Sequence, residues 1–247
     1  MTPLLYDTLV PFYHLLDPLE DHADEAQRYG DVLLGAVPGA SSLLELGAGA
    51  GNGAHFLGQR FDAVTLTDLS EAMLDRSAAI NPDYAHVVAD MRTLRLGRTF
   101  DCVLAHDAIG YMTTEADLLA AMRTAWEHLR PGGAALFIPD CVEETFAEGH
   151  EEHAGDDALR SLRAISWWYD PDPSDTTHVY DFAFLLRENG EVRAVHDRHV
   201  CGLFPTDTWC ALAREAGFRV EVVSRALPEA YAGSGYAESM FLAVRER

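Results

Sequence analysis

The 247-residue sequence contains no apolar run approaching the ~18 residues that span a bilayer, and its start lacks the basic flank and small-residue cleavage site of a secretory signal. A soluble, cytoplasmic chain with no membrane partner is the expectation. Clusters of Lys and Arg are missing as well. With a formal net charge of -22 and a pI near 4.6, the chain would repel a phosphate backbone, so nucleic acid is excluded as a partner. The four cysteines, Cys102, Cys141, Cys201 and Cys210, show no CxxC spacing, so neither a zinc site nor a disulfide framework is expected, and no metal is assigned. Internal repeats and low-complexity tracts are also absent. The length then suits one elaborated α/β domain with room for an insertion.

Among what is present, Leu43 to Gly53 is the most informative stretch: an apolar run broken by Glu45 and followed by alternating glycines. It reads as a buried strand entering a nucleotide loop. Gly47 and Gly49, with Ala48 between them, allow backbone N–H groups to approach a ligand closely, although a glycine-rich stretch of this kind is often only a turn. A second strand, Val64 to Thr67, ends at Asp68, about 20 residues after the loop, where a doubly wound fold places an acid against ribose hydroxyls. Leu69 stands beside it. Either a dinucleotide or an adenosyl cofactor fits this much. Ser70 is a good helix N-cap with Glu71 in the first turn, and Met73 one turn on packs either on an adenine or in the core.

The pattern of Leu43 to Gly51, apolar-apolar-acid-apolar-Gly-x-Gly-x-Gly, resembles the first motif of the class I S-adenosylmethionine-dependent methyltransferases. Dehydrogenases usually lack the acid at Glu45. The resemblance implies S-adenosylmethionine as cofactor, with Asp90 accepting the adenine amino hydrogens and the Met91 backbone N–H reaching a ring nitrogen. It further implies that an N-terminal tyrosine closes over the methionine end. Tyr6-Asp7 and Tyr13-His14 are the candidates, and Tyr13 is favoured because its distance to the following helix is similar to that in amino-sugar N-methyltransferases. Core packing of the amphipathic arm, which Pro11 interrupts, is the alternative.

The fourth strand, Phe100 to Ala105, leads to His106 at its carboxyl end, where open α/β sheets bind ligands. The Asn/Asp-Pro-Pro-aromatic motif of adenine and glutamine methyltransferases is missing there, and Ala108-Ile109-Gly110-Tyr111 resembles small-molecule members of the amino-sugar N,N-dimethyltransferase type. A helix from Ala116 to Leu129, stopped by Arg130-Pro131-Gly132-Gly133, precedes a fifth strand from Ala134 to Ile138. The stretch Glu143 to Asp157 reads as a solvated surface or mobile lid. Beyond it, strands at Ile165 to Tyr169, His178 to Leu186 and Val192 to Leu203 include the two-residue hairpin signal Asn189-Gly190. That turn places Tyr180 opposite His199 and Phe182 opposite Asp197. One face then carries Tyr180, Phe182, Phe184, Asp197 and His199, either as a pocket roof or as the polar side of a half-solvated sheet. Thr206 is expected to cap a helix to Ala216, followed by strands at Arg219 to Val223 and Phe241 to Val244.

The expected fold is a Rossmann-like, doubly wound seven-stranded α/β sheet with an antiparallel β insertion between strands five and six. Residues 1-141 and 205-247 would form the cofactor-binding core, and 142-204 would cover the acceptor site. The expected activity is methyl transfer from S-adenosylmethionine to an amino group of a small-molecule acceptor, a secondary metabolite, with a homodimer as the assembly. His106 and His199 are the candidate bases, and His106 also faces the cofactor. Alternatives are O-methylation, for which such a base is required, a nicotinamide-dependent Rossmann oxidoreductase, or an inactive cofactor-binding protein. A magnesium-dependent variant is weaker, since Asp107 and Asp140 lie at strand ends but Cys141 replaces the expected Asn.

Overall fold

A computed structural model describes residues 3–225 and 238–246. After two 3-10 turns, Leu4–Tyr6 and Val10–Phe12, come α1 (Tyr13–Leu16), a third 3-10 turn, Leu19–His22, and α2 (Ala23–Ala36). There follow β1 (Ser42–Leu46), α3 (Asn52–Leu57), β2 (Ala63–Asp68), α4 (Glu71–Ile80), β3 (Ala85–Val88), β4 (Phe100–His106), α5 (Glu115–His128) and β5 (Leu129–Ile138). Next are β6 (Gly149–Asp156), β7 (Arg160–Tyr169), β8 (Thr177–Glu188) and β9 (Glu191–Gly202). The chain ends with α6 (Thr206–Glu215), β10 (Phe218–Arg225) and β11 (Glu238–Arg245).

Seven strands form one sheet in the order β10-β11-β5-β4-β1-β2-β3. All pairings are parallel except those of β11, which runs antiparallel to both β10 and β5. The doubly wound expectation is met. Successive residues of the central strands alternate between two buried faces, as a parallel sheet covered by helices requires. Leu44, Leu46, Val103, Ala105 and Phe137 pack against α5 and α6, while Leu43, Cys102, Leu104 and Leu136 pack against α2 and α3. By that alternation Glu45 and His106 both fall on the α2 side. Strand order reverses between β1 and β4, which opens a crevice beyond their carboxyl ends.

The second sheet, β6-β7-β8-β9, is antiparallel throughout. Asn189 and Gly190 both have positive φ, at 54° and 82°, the type I′ geometry that matches strand twist. It fixes the register, pairing Tyr180 with His199 and Phe182 with Asp197 as the sequence predicts. The face those residues share is not half-solvated. Leu162, Phe184 and Leu186 are core residues beneath Leu5, Leu9, Phe12 and Leu15 of the N-terminal arm.

Three local readings are corrected. Within the acidic stretch that reads as a solvated surface or mobile lid, residues 149–156 form β6, which pairs with β7 along its whole length. Its charged, mostly exposed side chains suit an edge strand, where they discourage pairing with other chains. The helix before the fifth strand stops at His128, and Arg130 to Gly133 belong to β5, whose pairing with β4 shifts register between Phe100 and Cys102. Gly133 tolerates this because a Cβ there would meet the Asp101 carbonyl at 2.7 Å. Finally, Pro205 rather than Thr206 holds the N-cap position of α6. The Thr206 backbone N–H and hydroxyl donate to the Glu144 carboxylate, at 3.0 and 3.1 Å.

Candidate active site

The loop after β1 is held by its own backbone. Gly47 and Ala48 N–H both donate to the Thr67 carbonyl of the neighbouring strand, at 2.8 and 2.9 Å. Gly47 has φ +78°, and a Cβ there would stand 2.2 Å from the Ala108 Cβ. Only glycine fits. Gly49, at φ +54°, donates its N–H to Asp68 Oδ2 at 2.8 Å, and the Ser70 N–H donates to Asp68 Oδ1 at 2.8 Å. Each carboxylate oxygen keeps a further lone pair, so the side chain is aimed without being saturated. Burial raises the Asp68 pKa, and these backbone donors offset part of the rise. Ser70 Oγ caps α4 through the Met73 N–H at 3.1 Å.

Asp90 follows β3 and forms an ion pair with Arg92 at 2.6 Å. That hydrogen bond holds its carboxyl below the ordinary range. Arg92 is tied in turn to Asp117 at 2.9 Å. Met91 is buried, and its Cε would lie 2.9 Å from a Cβ on Gly47, so the two loops touch. Leu69 is 60% exposed and borders a surface hollow of about 450 Å³ that Tyr6, Ser70 and Glu71 also line. Met73 is buried with Val10 and Ala50 beneath the arm.

At the strand-order reversal, Glu45 is buried and its Oε2 has no hydrogen-bond partner. Burial pushes its pKa up to about 7, against the pull of His106. His106 Nε2 lies 3.1 Å from the Tyr29 hydroxyl and 2.9 Å from Asp107 Oδ1. Burial opposes charge on this imidazole, yet the Asp107 carboxylate outweighs it, with Glu25 and Asp140 adding to the effect, and holds the pKa at about 10. Asp107 thus favours the charged imidazole, the form that has no lone pair for a proton. Asp107 itself has φ +49°, which turns it out of the strand after its N–H has donated to the Ile138 carbonyl at 2.9 Å. Asp140 follows β5 nearby, and burial followed by the Asp107 charge drives its pKa well up.

The arm closes the crevice from the other side. Asn52 Nδ2, at the start of α3, donates to the Asp17 carbonyl and carboxylate, at 3.1 and 3.2 Å. Ser70 Oγ donates to the Tyr6 carbonyl at 2.5 Å, and the Leu5 N–H donates to Asp197 Oδ2 of β9 at 2.8 Å. Tyr6 packs against Tyr13, Tyr111 and His199, with ring centroids 6.3, 5.9 and 5.4 Å away. His199 is buried, with Nδ1 2.7 Å from the Tyr111 hydroxyl and Nε2 3.1 Å from Asp197 Oδ2. Burial lowers its pKa, and Asp197 resists that shift.

The structure thus gathers Glu45, Gly47, Ala48, Gly49, Asp68, Met91 and His106 around the β1 and β4 ends, with Asp90 in the adjoining loop. Tyr13 and Met73 lie under or in the arm. His199 belongs to a separate network with Tyr6 and Tyr111, which the sequence does not single out as a unit because its members come from three distant segments. An adenosyl cofactor fits what is present: Asp68 retains free acceptor capacity, the unpartnered Glu45 oxygen can receive a donor, and only the Met73 Cε lies near the Cβ position of Gly49, at 3.5 Å. Among the described residues, no group of three or more His, Cys, Asp and Glu is arranged to hold a metal ion.

The profile of the methyltransferase domain family matches residues 43–133. The chain is similar to a Streptomyces venezuelae dTDP-3-amino-3,4,6-trideoxy-alpha-D-glucopyranose N,N-dimethyltransferase, 32% identical over 204 residues, covering 82% of this chain and 85% of the relative. Among solved structures it is similar to DesVI of Streptomyces venezuelae, with a TM-score of 0.80 and 29% identity over 97% of this chain and 96% of that one. S-adenosylmethionine-bound CalS10, an amino pentose methyltransferase of Micromonospora echinaspora, gives a TM-score of 0.76 and 25% identity, covering 91% of each chain.

Proposed function

The chain belongs to the class I S-adenosylmethionine-dependent methyltransferases of the amino-sugar type, and from that premise we propose that it methylates the amino group of a sugar nucleotide. The observation that carries this reading is the chemistry of the crevice. Acids and phenols face it, with Asp107 and Asp140 on the core side and Tyr6 and Tyr111 on the arm side. Such a lining offers hydrogen-bond acceptors to the N–H bonds of an amino group. The sulfonium of the bound cofactor supplies the electrophilic methyl group, and the protein's task is to align the acceptor nitrogen with it, which is catalysis by proximity and orientation.

Within this reading Asp68 orients the ribose, and the Gly47 to Gly49 backbone approaches the amino-acid end. Asp90 and Met91 receive the adenine, with Asp90 exchanging its Arg92 contact for the adenine amino group. Glu45 takes a donor from the methionyl end beside the His106 cation, and Tyr13 belongs to the arm that shuts over it. Residues 142-204 act as the unit that shapes the acceptor side. His106, whose charged form Asp107 favours, serves as a positive charge rather than as a base. His199, neutral, is the group with a usable lone pair.

The test is mass analysis of reactions containing S-adenosylmethionine and either dTDP-3-amino-3,4,6-trideoxy-alpha-D-glucopyranose or its 3-hydroxy counterpart. Methyl gain on the amine alone is expected. Gain on the hydroxyl compound alone would replace the proposal with O-methylation.

A further inference from the structure

We propose that Tyr6 and Tyr111 form a phenol relay that carries the proton leaving the acceptor nitrogen to His199, with Asp197 as the residue that positions His199. This rests on the amine-acceptor reading above. The contacts form one unbroken line: Tyr6 and Tyr111 hydroxyls 3.0 Å apart, the Tyr111 hydroxyl 2.7 Å from His199 Nδ1, and His199 Nε2 3.1 Å from Asp197 Oδ2.

Valence settles which way the line runs. An ionised Asp197 can only accept, and its Oδ2 already receives the Leu5 N–H at 2.8 Å, so His199 Nε2 bears the hydrogen and Nδ1 the lone pair. Tyr111 then donates to Nδ1. Having a single proton, it must accept from Tyr6, whose oxygen is left as the receiving end of the line. When His199 becomes charged every bond reverses: Nδ1–H donates to Tyr111, and Tyr111 donates to Tyr6. Both states use the same heavy-atom positions. A proton can therefore cross without either phenol ionising, which matters because burial drives both phenol pKa values far up.

His199 is buried, with only 3% of its surface exposed, so it reaches an acceptor only through Tyr111. The titratable groups that face it are Asp197 and Cys201 on its own strand face, Tyr180 across the β8 register, Tyr111 from the turn after β4, and Tyr6 from the arm. Of these only Asp197 is a carboxylic acid. Proton transfer to Nδ1 then makes an ion pair with Asp197, the arrangement by which a carboxylate stabilises a histidine acting as base.

The step balances. An acceptor ammonium gives one proton to the relay, the freed lone pair forms the N–C bond, and the C–S bond breaks with its electron pair staying on sulfur. The proton leaves His199 by the same path once the product departs. A second transfer needs the relay again, because the product of the first is itself an ammonium. Leu5 and Tyr6 both belong to the arm, so docking of the arm assembles the relay and supplies the Leu5 N–H to Asp197 in one movement.

The experiment compares wild type, Tyr111→Phe, Tyr6→Phe and Asp197→Asn, using S-adenosylmethionine and dTDP-3-amino-3,4,6-trideoxy-alpha-D-glucopyranose across pH. In Tyr111→Phe and Tyr6→Phe, kcat for each methyl addition should fall about 10²-fold, the lower range for loss of a proton-transfer group. Cofactor affinity should be unchanged, and the acidic limb of the kcat profile set by His199 should vanish. Asp197→Asn should keep that limb and move it to lower pH. Wild-type kcat with an unaltered limb in both phenylalanine variants overturns the relay, and so does a loss confined to KM. Should one variant fail to fold, the other carries the same expectation. Nitrogen-15 histidine NMR of the wild-type protein with S-adenosylhomocysteine reads the relay whatever the acceptor is: a neutral His199 protonated at Nε2 supports it, and one protonated at Nδ1 overturns it. Failure of the wild type to methylate this sugar, with the Nε2 tautomer observed, would count against the substrate reading and not against the relay.

Discussion

Glu45 shows how far one side chain here departs from what stability alone would select. Its carboxyl is buried, one oxygen lacks a partner, and its pKa rises from 4.5 to about 7. Because the folded protein binds this proton more tightly than the unfolded chain does, stability falls as pH rises from 4.5 through about 7. The full cost is present above that window. A shift of this size corresponds to roughly 3 kcal/mol. Glu45→Gln should therefore raise the melting temperature of the cofactor-free protein at pH 8 and leave it little changed at pH 4.5, while weakening S-adenosylmethionine binding in calorimetry. Equal stability of the two proteins at pH 8 would contradict the account of Glu45. The His106 imidazolium is its counterweight, and that charge depends on Asp107 being turned toward it at positive φ.

At the level of elements, the N-terminal arm packs on the second sheet and reaches α3 and α4 through side-chain contacts. It is latched by Asp17, which binds Asn52 and, together with Glu25, His22 at 2.8 and 2.6 Å. Burial disfavours charge on His22, but the hydrogen bonds from Asp17 and Glu25 prevail and lift its pKa from 6.5 to about 10. For a histidine raised on folding, the stabilisation is complete below pH 6.5 and disappears as pH climbs through about 10. Cleavage of the arm in limited proteolysis should thus accelerate over that interval, and His22→Ala should show fast cleavage already at pH 7. S-adenosylhomocysteine should slow it in the wild type. An arm cut at the same rate in wild type and His22→Ala at pH 7 would rule out the latch.

The same elements mark where sequence reading succeeds and where it stops. The glycine loop, the acid after β2 and the β8–β9 register are legible because each is fixed locally: positive-φ turns require Gly or Asn, and a type I′ turn sets a whole hairpin. The strand β6 is not legible, since Gly149 to Asp156 carries no apolar alternation and is a strand only because β7 offers its hydrogen bonds. Position and charge separate in the same way at His106. Its place at the end of β4 follows from the sheet, whereas its protonation follows from the turned-out backbone of Asp107, which residue identity does not encode. Tyr111 and Tyr6 become partners only through the docking of an arm more than a hundred residues away in sequence.

On the scale of the whole molecule, one sheet carries the ends of β1, β2 and β4, and a second sheet with the arm on its face carries His199. The net charge of -22 opposes the diphosphate of a sugar nucleotide, so the distribution of charge rather than its sum decides binding. The most direct measurement follows the methyl carbon itself. With S-adenosylmethionine labelled by carbon-13 at the methyl group and dTDP-3-amino-3,4,6-trideoxy-alpha-D-glucopyranose as acceptor, NMR of the product should show the label as a methyl bonded to the sugar nitrogen. Label on a sugar oxygen, or unlabelled sugar recovered from protein that demonstrably binds the cofactor, would contradict the account.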